Sequence, residues 1–300
     1  MSDMSDTAAQ PSTPGALVVG VGEHRPSADL LAYVAGRAVA GAHPVRLVHA
    51  VRSSLTDPVV AMVGEEEVRR VAGDRIAEAA DRLREVDDRV EVSARVESGA
   101  PVDVLLEAAQ DAAGIILQRS RSGWLHRVAT GAITGTVAAR AEVPTTCVTA
   151  EWAMEPRSRP EVAVAVRELP ADEFVLEHAF AEAAERPGGG LTVLHAWHVP
   201  SYYDDIILER TAREKWSSEQ QARIEGLLGP WREASPEVEV VVEVDHLRTA
   251  DALVRASSHA DLLVVGRHTH PVWGHHLDAL QRAVLREARC PVVVVPEPSR

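Results

Sequence analysis

The chain has 300 residues, room for one large domain or two of ordinary size, and its 46% hydrophobic fraction is enough to bury a substantial core. A net charge of −14 repels phosphate backbones and removes electrostatic support for nonspecific nucleic-acid binding, while no apolar run approaches the roughly 20 residues needed to cross a bilayer. Cys147 and Cys290 are the only cysteines, so a disulfide framework and a CxxC or Cys/His zinc motif are excluded and a reducing, cytoplasmic compartment is expected.

In chain order, residues 1–14 are polar and acidic, and are expected to be a disordered lead-in rather than a signal peptide. Ala16–Val21 is an apolar run of buried-strand length, followed by a helix with a Leu31, Val34, Ala35, Ala38 stripe. Strand two is predicted at Val45–Ala50, and a long helix at Glu65–Val86 carries Val68, Ala72, Ile76, Ala79 and Leu83 on one face. A third strand is expected at Val90–Val96, a short helix near Val102–Gln110 and a fourth strand at Gly114–Leu117. A last helix, about Gly131–Ala141, leads into a final strand at Thr145–Thr149.

The pattern then begins again. LVHAV at Leu47–Val51 returns as VLHAW at Val193–Trp197, which places His195 146 positions after His49. DVLLEAA at Asp103–Ala109 returns as DALVRAS at Asp251–Ser257, and GIIL at Gly114–Leu117 as LLVV at Leu262–Val265, both at an offset of 148. Four segments in the same order at nearly constant offset, with Pro144 and Pro291 the fourth pair, predict a tandem duplication. Second-half strands are expected at Val162–Val166, Leu191–Ala196, Val238–Val244, Leu262–Val265 and Val292–Val295, with a long helix carrying Trp216, Gln220, Ile224 and Leu227. Strands apolar on both faces between amphipathic helices predict two α/β domains, each a five-stranded parallel sheet with helices on both sides. The domains are expected at 15–150 and 161–298, joined by the charged, proline-bearing linker 151–160.

Several stretches resemble the universal stress protein family. VESGAPVDVLLEAAQDAAGIIL at Val96–Leu117 is similar to its third-strand to fourth-strand block; ADLLVVG at Ala260–Gly266 and AVLREARCPVVVVP at Ala283–Pro296 are similar to its C-terminal signature. The resemblance implies a Rossmann-like, adenine nucleotide alpha hydrolase-like domain, commonly dimeric through its last strands, that binds ATP or AMP in one branch. In that branch an Asp ends strand one, and a G-x2-G-x9-G-[ST] loop after strand four cradles phosphates with backbone N–H groups. The adenylate-forming relatives of this layout carry an SGGxDS-type loop after strand one, which this chain lacks.

Matched to that pattern, Gly22 stands at the Asp position of the first half, Gln118 and Arg121 at the first two glycines, and Gly131 at the third. In the second half Arg167 stands at the Asp position, Gly266 keeps the first glycine, Thr269 replaces the second and Asp278 the third. Both cradles are expected to be eroded: bulk replaces glycine, and an Asp at a helix N-terminus opposes phosphate. The surviving Gly131 and Gly266 also read as turn or packing glycines. Arg121 and Arg267 are the candidates to supply charge if ATP or AMP binds through a nonstandard loop.

HTHPVWGHH, His268 to His276, is the most unusual local sequence, but no carboxylate or cysteine completes a zinc spacing and no metal site is predicted. His49 and His195 end equivalent strands and read as packing residues. No GxSxG elbow or spaced nucleophile–base pair appears. The expectation is a non-enzymatic stress-response binding or signalling protein with no bound cofactor. Its last strands are expected to form an intramolecular pseudo-dimer, leaving room for a further homodimer or a protein partner.

Overall fold

The computed structural model describes residues 15–51, 62, 64–119, 133–150, 152–153, 160–167, 171–197, 213–268 and 276–298. The first half runs β1 (Leu17–Gly20), α1 (Ala28–Ala40), β2 (Val45–Val51), α2 (Glu65–Val86), β3 (Val92–Ser98), α3 (Pro101–Ala108), β4 (Gly114–Arg119), a helix α4 over residues 133–140, and β5 (Thr145–Thr149). The second runs β6 (Glu161–Ala165), α5 (Glu173–Ala184), β7 (Gly190–Ala196), α6 (Arg213–Leu227), α7 (Gly229–Ala234) and β8 (Glu239–Asp245). It continues with α8 (Thr249–Ala256), β9 (Leu262–Arg267), α9 (Ala279–Glu287) and β10 (Val292–Pro296).

Each half is a parallel five-stranded unit, and the two merge into one sheet of ten strands in the order β3-β2-β1-β4-β5-β10-β9-β6-β7-β8. The joint is antiparallel, with Val292 opposite Cys147, Val293 opposite Thr146 and Val294 opposite Thr145. Pairing the two last strands covers an apolar edge that would otherwise recruit another chain.

Alternating strand residues feed both faces. In the first half Val19, Val21 and Ile116 pack under α1 and α2, while Val18, Ile115 and Leu117 pack under α3 and α4. The α1 stripe of Leu31, Val34, Ala35 and Ala38 is buried as its spacing dictates. Helix starts follow local chemistry: Ser27 caps α1, its Oγ accepting from Leu30 N at 3.2 Å, and Glu65–Glu67 stand at the positive end of α2.

Two expectations need correction. The third strand starts at Val92 rather than Val90, because Val90 N donates to Asp87 O at 3.3 Å and extends the turn that closes α2. On α6 only Ile224 of the expected stripe is buried; Trp216 and Leu227 are each 42% exposed. Leu228, just past the helix, takes the core position that the spacing assigned to Leu227.

Candidate functional site

Open parallel sheets take ligands beyond the carboxyl ends of their strands, where the connection direction reverses. That point lies between β1 and β4 in the first half and between β6 and β9 in the second.

In the first half Gly22 is exposed beyond β1, with nothing within 4 Å of where a Cβ would stand. Gln118, on β4, reaches across the switch point: its Nε2 donates to Ser27 Oγ at 2.8 Å and its Oε1 accepts from Ser27 N at 3.4 Å. The loop from β1 to α1 is thereby tied to the end of β4. Arg121 and Gly131 lie outside the described residues.

The second half builds the same tie from different chemistry. Asp172 precedes α5, as Ser27 precedes α1, and its buried carboxylate accepts from Arg167 N at 2.6 Å and from His268 Nε2 at 2.9 Å. The hydrogen bond to Asp172 raises the His268 pKa above its ordinary value. The imidazole also stands edge-on to Phe174, at 5.4 Å between ring centres.

Helix α9 uses its own donors. Asp278 Oδ1 accepts from Leu280 N at 2.7 Å and Gln281 N at 3.0 Å, while Gln281 Oε1 accepts from Asp278 N at 2.5 Å. A phosphate arriving there would find these N–H groups taken and a carboxylate in front of them. The Arg167 side chain lies 3.6 Å from Asp278, with both largely exposed. Gly266 is a packing glycine: a Cβ would come within 2.5 Å of Val175 Cγ2 and 3.2 Å of Phe174 Cζ. Thr269 lies outside the described residues.

Arg267 is placed against the expectation that it serves a ligand. Its guanidinium is buried across the joint between the halves, donating to Ala139 O and Ala141 O at 2.5 Å each. Those carbonyls end α4, where a cation is favoured by the helix dipole. Arg119 makes the mirrored contact, donating to Arg286 O near the end of α9 at 3.1 Å.

His49 and His195 share one structural task. His49 Nδ1 lies 2.7 Å from Val21 O and His195 Nδ1 3.0 Å from Val166 O, so each ring donates to the carbonyl just beyond the first strand of its half. Beside His195 a cavity of about 170 Å³ opens under α6, lined by Val166, Arg167, Gln220, Arg223, Ile224 and Leu227. Near it Trp197 stacks on His246 at 4.2 Å and meets Trp216 at 5.8 Å.

Among the described residues no cluster of three His, Cys, Asp or Glu side chains is placed to hold a metal ion; His270 and His275 lie outside them. Both cysteines are buried, and burial pushes the Cys147 thiol up to about 12, which removes its nucleophilicity at neutral pH. Sequence reasoning missed Ser27, although it sits just before a predicted helix where a capping residue belongs, and Asp172, which precedes a helix that the sequence reading did not place. It also missed Arg119, whose partner lies 167 positions away with no local signal.

The sequence model of the universal stress protein family matches this chain twice, over residues 15–149 and 160–296. A universal stress protein of Mycobacterium tuberculosis is 30% identical over 236 residues, covering 77% of both chains. One of Mycolicibacterium smegmatis is 28% identical over 295 residues, covering 95% of this chain and 98% of its own. The crystal structure of a universal stress protein from Archaeoglobus fulgidus shares the fold with a TM-score of 0.67 at 17% identity, over 94% of this chain and 98% of that one. With both halves matched and full-length relatives of the same kind, the chain belongs to the universal stress protein family.

Proposed function

We propose that this chain is a non-enzymatic binding or signalling protein of the stress response whose two nucleotide clefts are closed by its own side chains. One observation carries the reading: at each switch point a side chain leaving the fourth strand is bonded to the residue before the first helix, Gln118 to Ser27 and His268 to Asp172. The Asp278 cap on α9 and the withdrawal of Arg267 into the joint support it further. On this reading the chain works in the cytoplasm as two units, 15–150 and 161–298, with 151–160 between them. The β5–β10 joint serves as an intramolecular version of the family's dimer contact.

The test is native mass spectrometry of protein purified without added ligand. Bare polypeptide is expected, and stoichiometric co-purified adenine nucleotide contradicts the reading. The second reading, an ATP- or AMP-binding regulator, is favoured by the cavity beside His195, where Arg167 and Arg223 offer positive charge. At about 170 Å³ that cavity falls below the roughly 300 Å³ at which small-molecule pockets begin. A whole nucleotide requires α6 to move outward.

A further inference from the structure

The joint between the halves has a local two-fold axis, and the register locates it. Thr146 and Val293 occupy equivalent places in the repeat, 147 positions apart, and they lie directly opposite one another in the antiparallel ladder. The axis passes between them. Any side chain near it therefore faces its own counterpart from the other half.

On one side of the sheet the symmetry is kept. Arg119 and Arg267 are counterparts, as are Arg286 and Ala139, and each arginine donates to the carbonyl of the opposite half. Ala138, Ala139 and Cys147 of the first half share a core with Val284, Ala288, Val292 and Val294 of the second. Two first halves, or two second halves, would satisfy these contacts equally well. This side does not discriminate between partners.

On the other side the symmetry is broken by charge. The bonded carbonyls of Val21 and Val166 are 145 positions apart, as are Ser27 and Asp172, which precede α1 and α5, and that offset makes Glu182 on α5 the counterpart of Arg37 on α1. The two meet: Arg37 Nη2 donates to Glu182 Oε1 at 2.6 Å, and Nη1 to Glu185 Oε2 at 2.5 Å. Arg37 is 16% exposed and Glu182 6%. Arg186 adds a further bond to Glu182 at 2.8 Å. The first half has no matching residues, since the counterparts of Glu185 and Arg186 are Ala40 and Gly41.

We infer that Arg37 and Glu182 make this surface selective, so that a first half accepts only a second half as its partner, whether from its own chain or from another copy. Two first halves would place Arg37 against Arg37 in a buried site with no carboxylate. Two second halves would bring Glu182 and Glu185 against their own copies, two carboxylates from each half with only Arg186 among these residues to offset them. Like charges desolvated together disfavour a wrong partner, whereas the symmetric side recruits right and wrong partners alike. The inference rests on the β5–β10 joint serving as the domain contact and adds what decides its partner.

The experiment uses the whole chain with a protease site inserted between residues 153 and 160, cleaved so that both halves remain in solution. Native mass spectrometry and sedimentation on dilution then report which halves associate and how tightly. Wild type is expected to give one first half with one second half and no like pairs. Arg37→Glu and Glu182→Arg should each weaken that complex about a hundredfold, and the double reversal should recover at least tenfold. Circular dichroism of the uncleaved variants checks folding, and Glu182→Gln provides a milder lesion if a reversal does not fold. Like pairs as abundant as the mixed pair, or single reversals that associate as wild type does, would overturn the selectivity and leave the joint standing. Wild-type halves that separate at all concentrations would overturn both.

Discussion

The two halves share one topology but differ in how their long helices cover the sheet. Helix α2 buries Ala72, Ile76, Ala79, Ala80 and Leu83 along one face, whereas α6, among its described side chains, buries Ile224 alone and leaves Trp216 and Leu227 exposed. The first half is also locked at the mouth of β1, where Arg82 donates to Pro26 O at 3.0 Å and Arg25 pairs with Glu78 at 3.1 Å. The second half keeps a cavity at the corresponding place. Duplication has produced one tightly packed copy and one with room beneath its helix. A change of binding state is therefore cheaper in the second half.

The comparison breaks most readily at the helices. Leu83→Ala should destabilise the chain by about 3 kcal/mol in urea unfolding, because Leu83 is fully buried, and Leu227→Ala by less than about 0.5 kcal/mol. Equal costs would mean that α6 packs as α2 does. A second contrast lies at the glycines of the two clefts. Gly266→Ala should cost about 1–3 kcal/mol, since its Cβ meets Val175, whereas Gly22→Ala should change stability by no more than about 0.5 kcal/mol. A harmless Gly266→Ala would show that α5 can shift away from β9.

The ties sharpen the comparison through pH. Gln118→Ala should cost about 1 kcal/mol at every pH, because the Gln118–Ser27 bond involves no titrating group. The His268–Asp172 tie behaves otherwise. Its raised folded pKa means that its stabilisation is complete below the unfolded value of about 6.5 and is lost as pH rises through the higher folded value. Because His268 is partly exposed, the effect should amount to about 0.5 kcal/mol between wild type and His268→Gln, largest near pH 6. His178 titrates with the opposite sign: burial lowers its pKa, so its contribution is present above about 6.5 and is lost on acidification through the lower folded value. Comparing variants at matched pH separates the two histidines.

Much of the fold was legible because its signals are local or periodic. Constant offsets between LVHAV and VLHAW exposed the duplication, and runs such as Ile115–Leu117 are apolar on both faces only when helices cover both sides of a sheet. The proposed erosion of the phosphate loop rests on a residue-by-residue reading, since glycine positions either keep their hydrogen or do not. The contacts made at the two switch points could not be read that way. Asp172 and His268 stand 96 positions apart, and Arg267 caps a helix more than 120 positions earlier, so each contact depends on the assembled sheet rather than on spacing. Arg37 and Glu182 lie on the polar flanks of helices whose apolar stripes spoke only of sheet packing.

The central claim is that both clefts are closed to nucleotide, and isothermal titration of the intact chain with Mg-ATP tests it most directly. Losing two charge-assisted hydrogen bonds to phosphate costs on the order of 3 kcal/mol, roughly a hundredfold in affinity. No saturable heat is therefore expected below millimolar ATP, with no matching change in the fluorescence of Trp197 and Trp216 beside the second-half cavity. A micromolar dissociation constant that Arg167→Ala or Arg223→Ala abolishes would contradict the account and establish the second half as a nucleotide site.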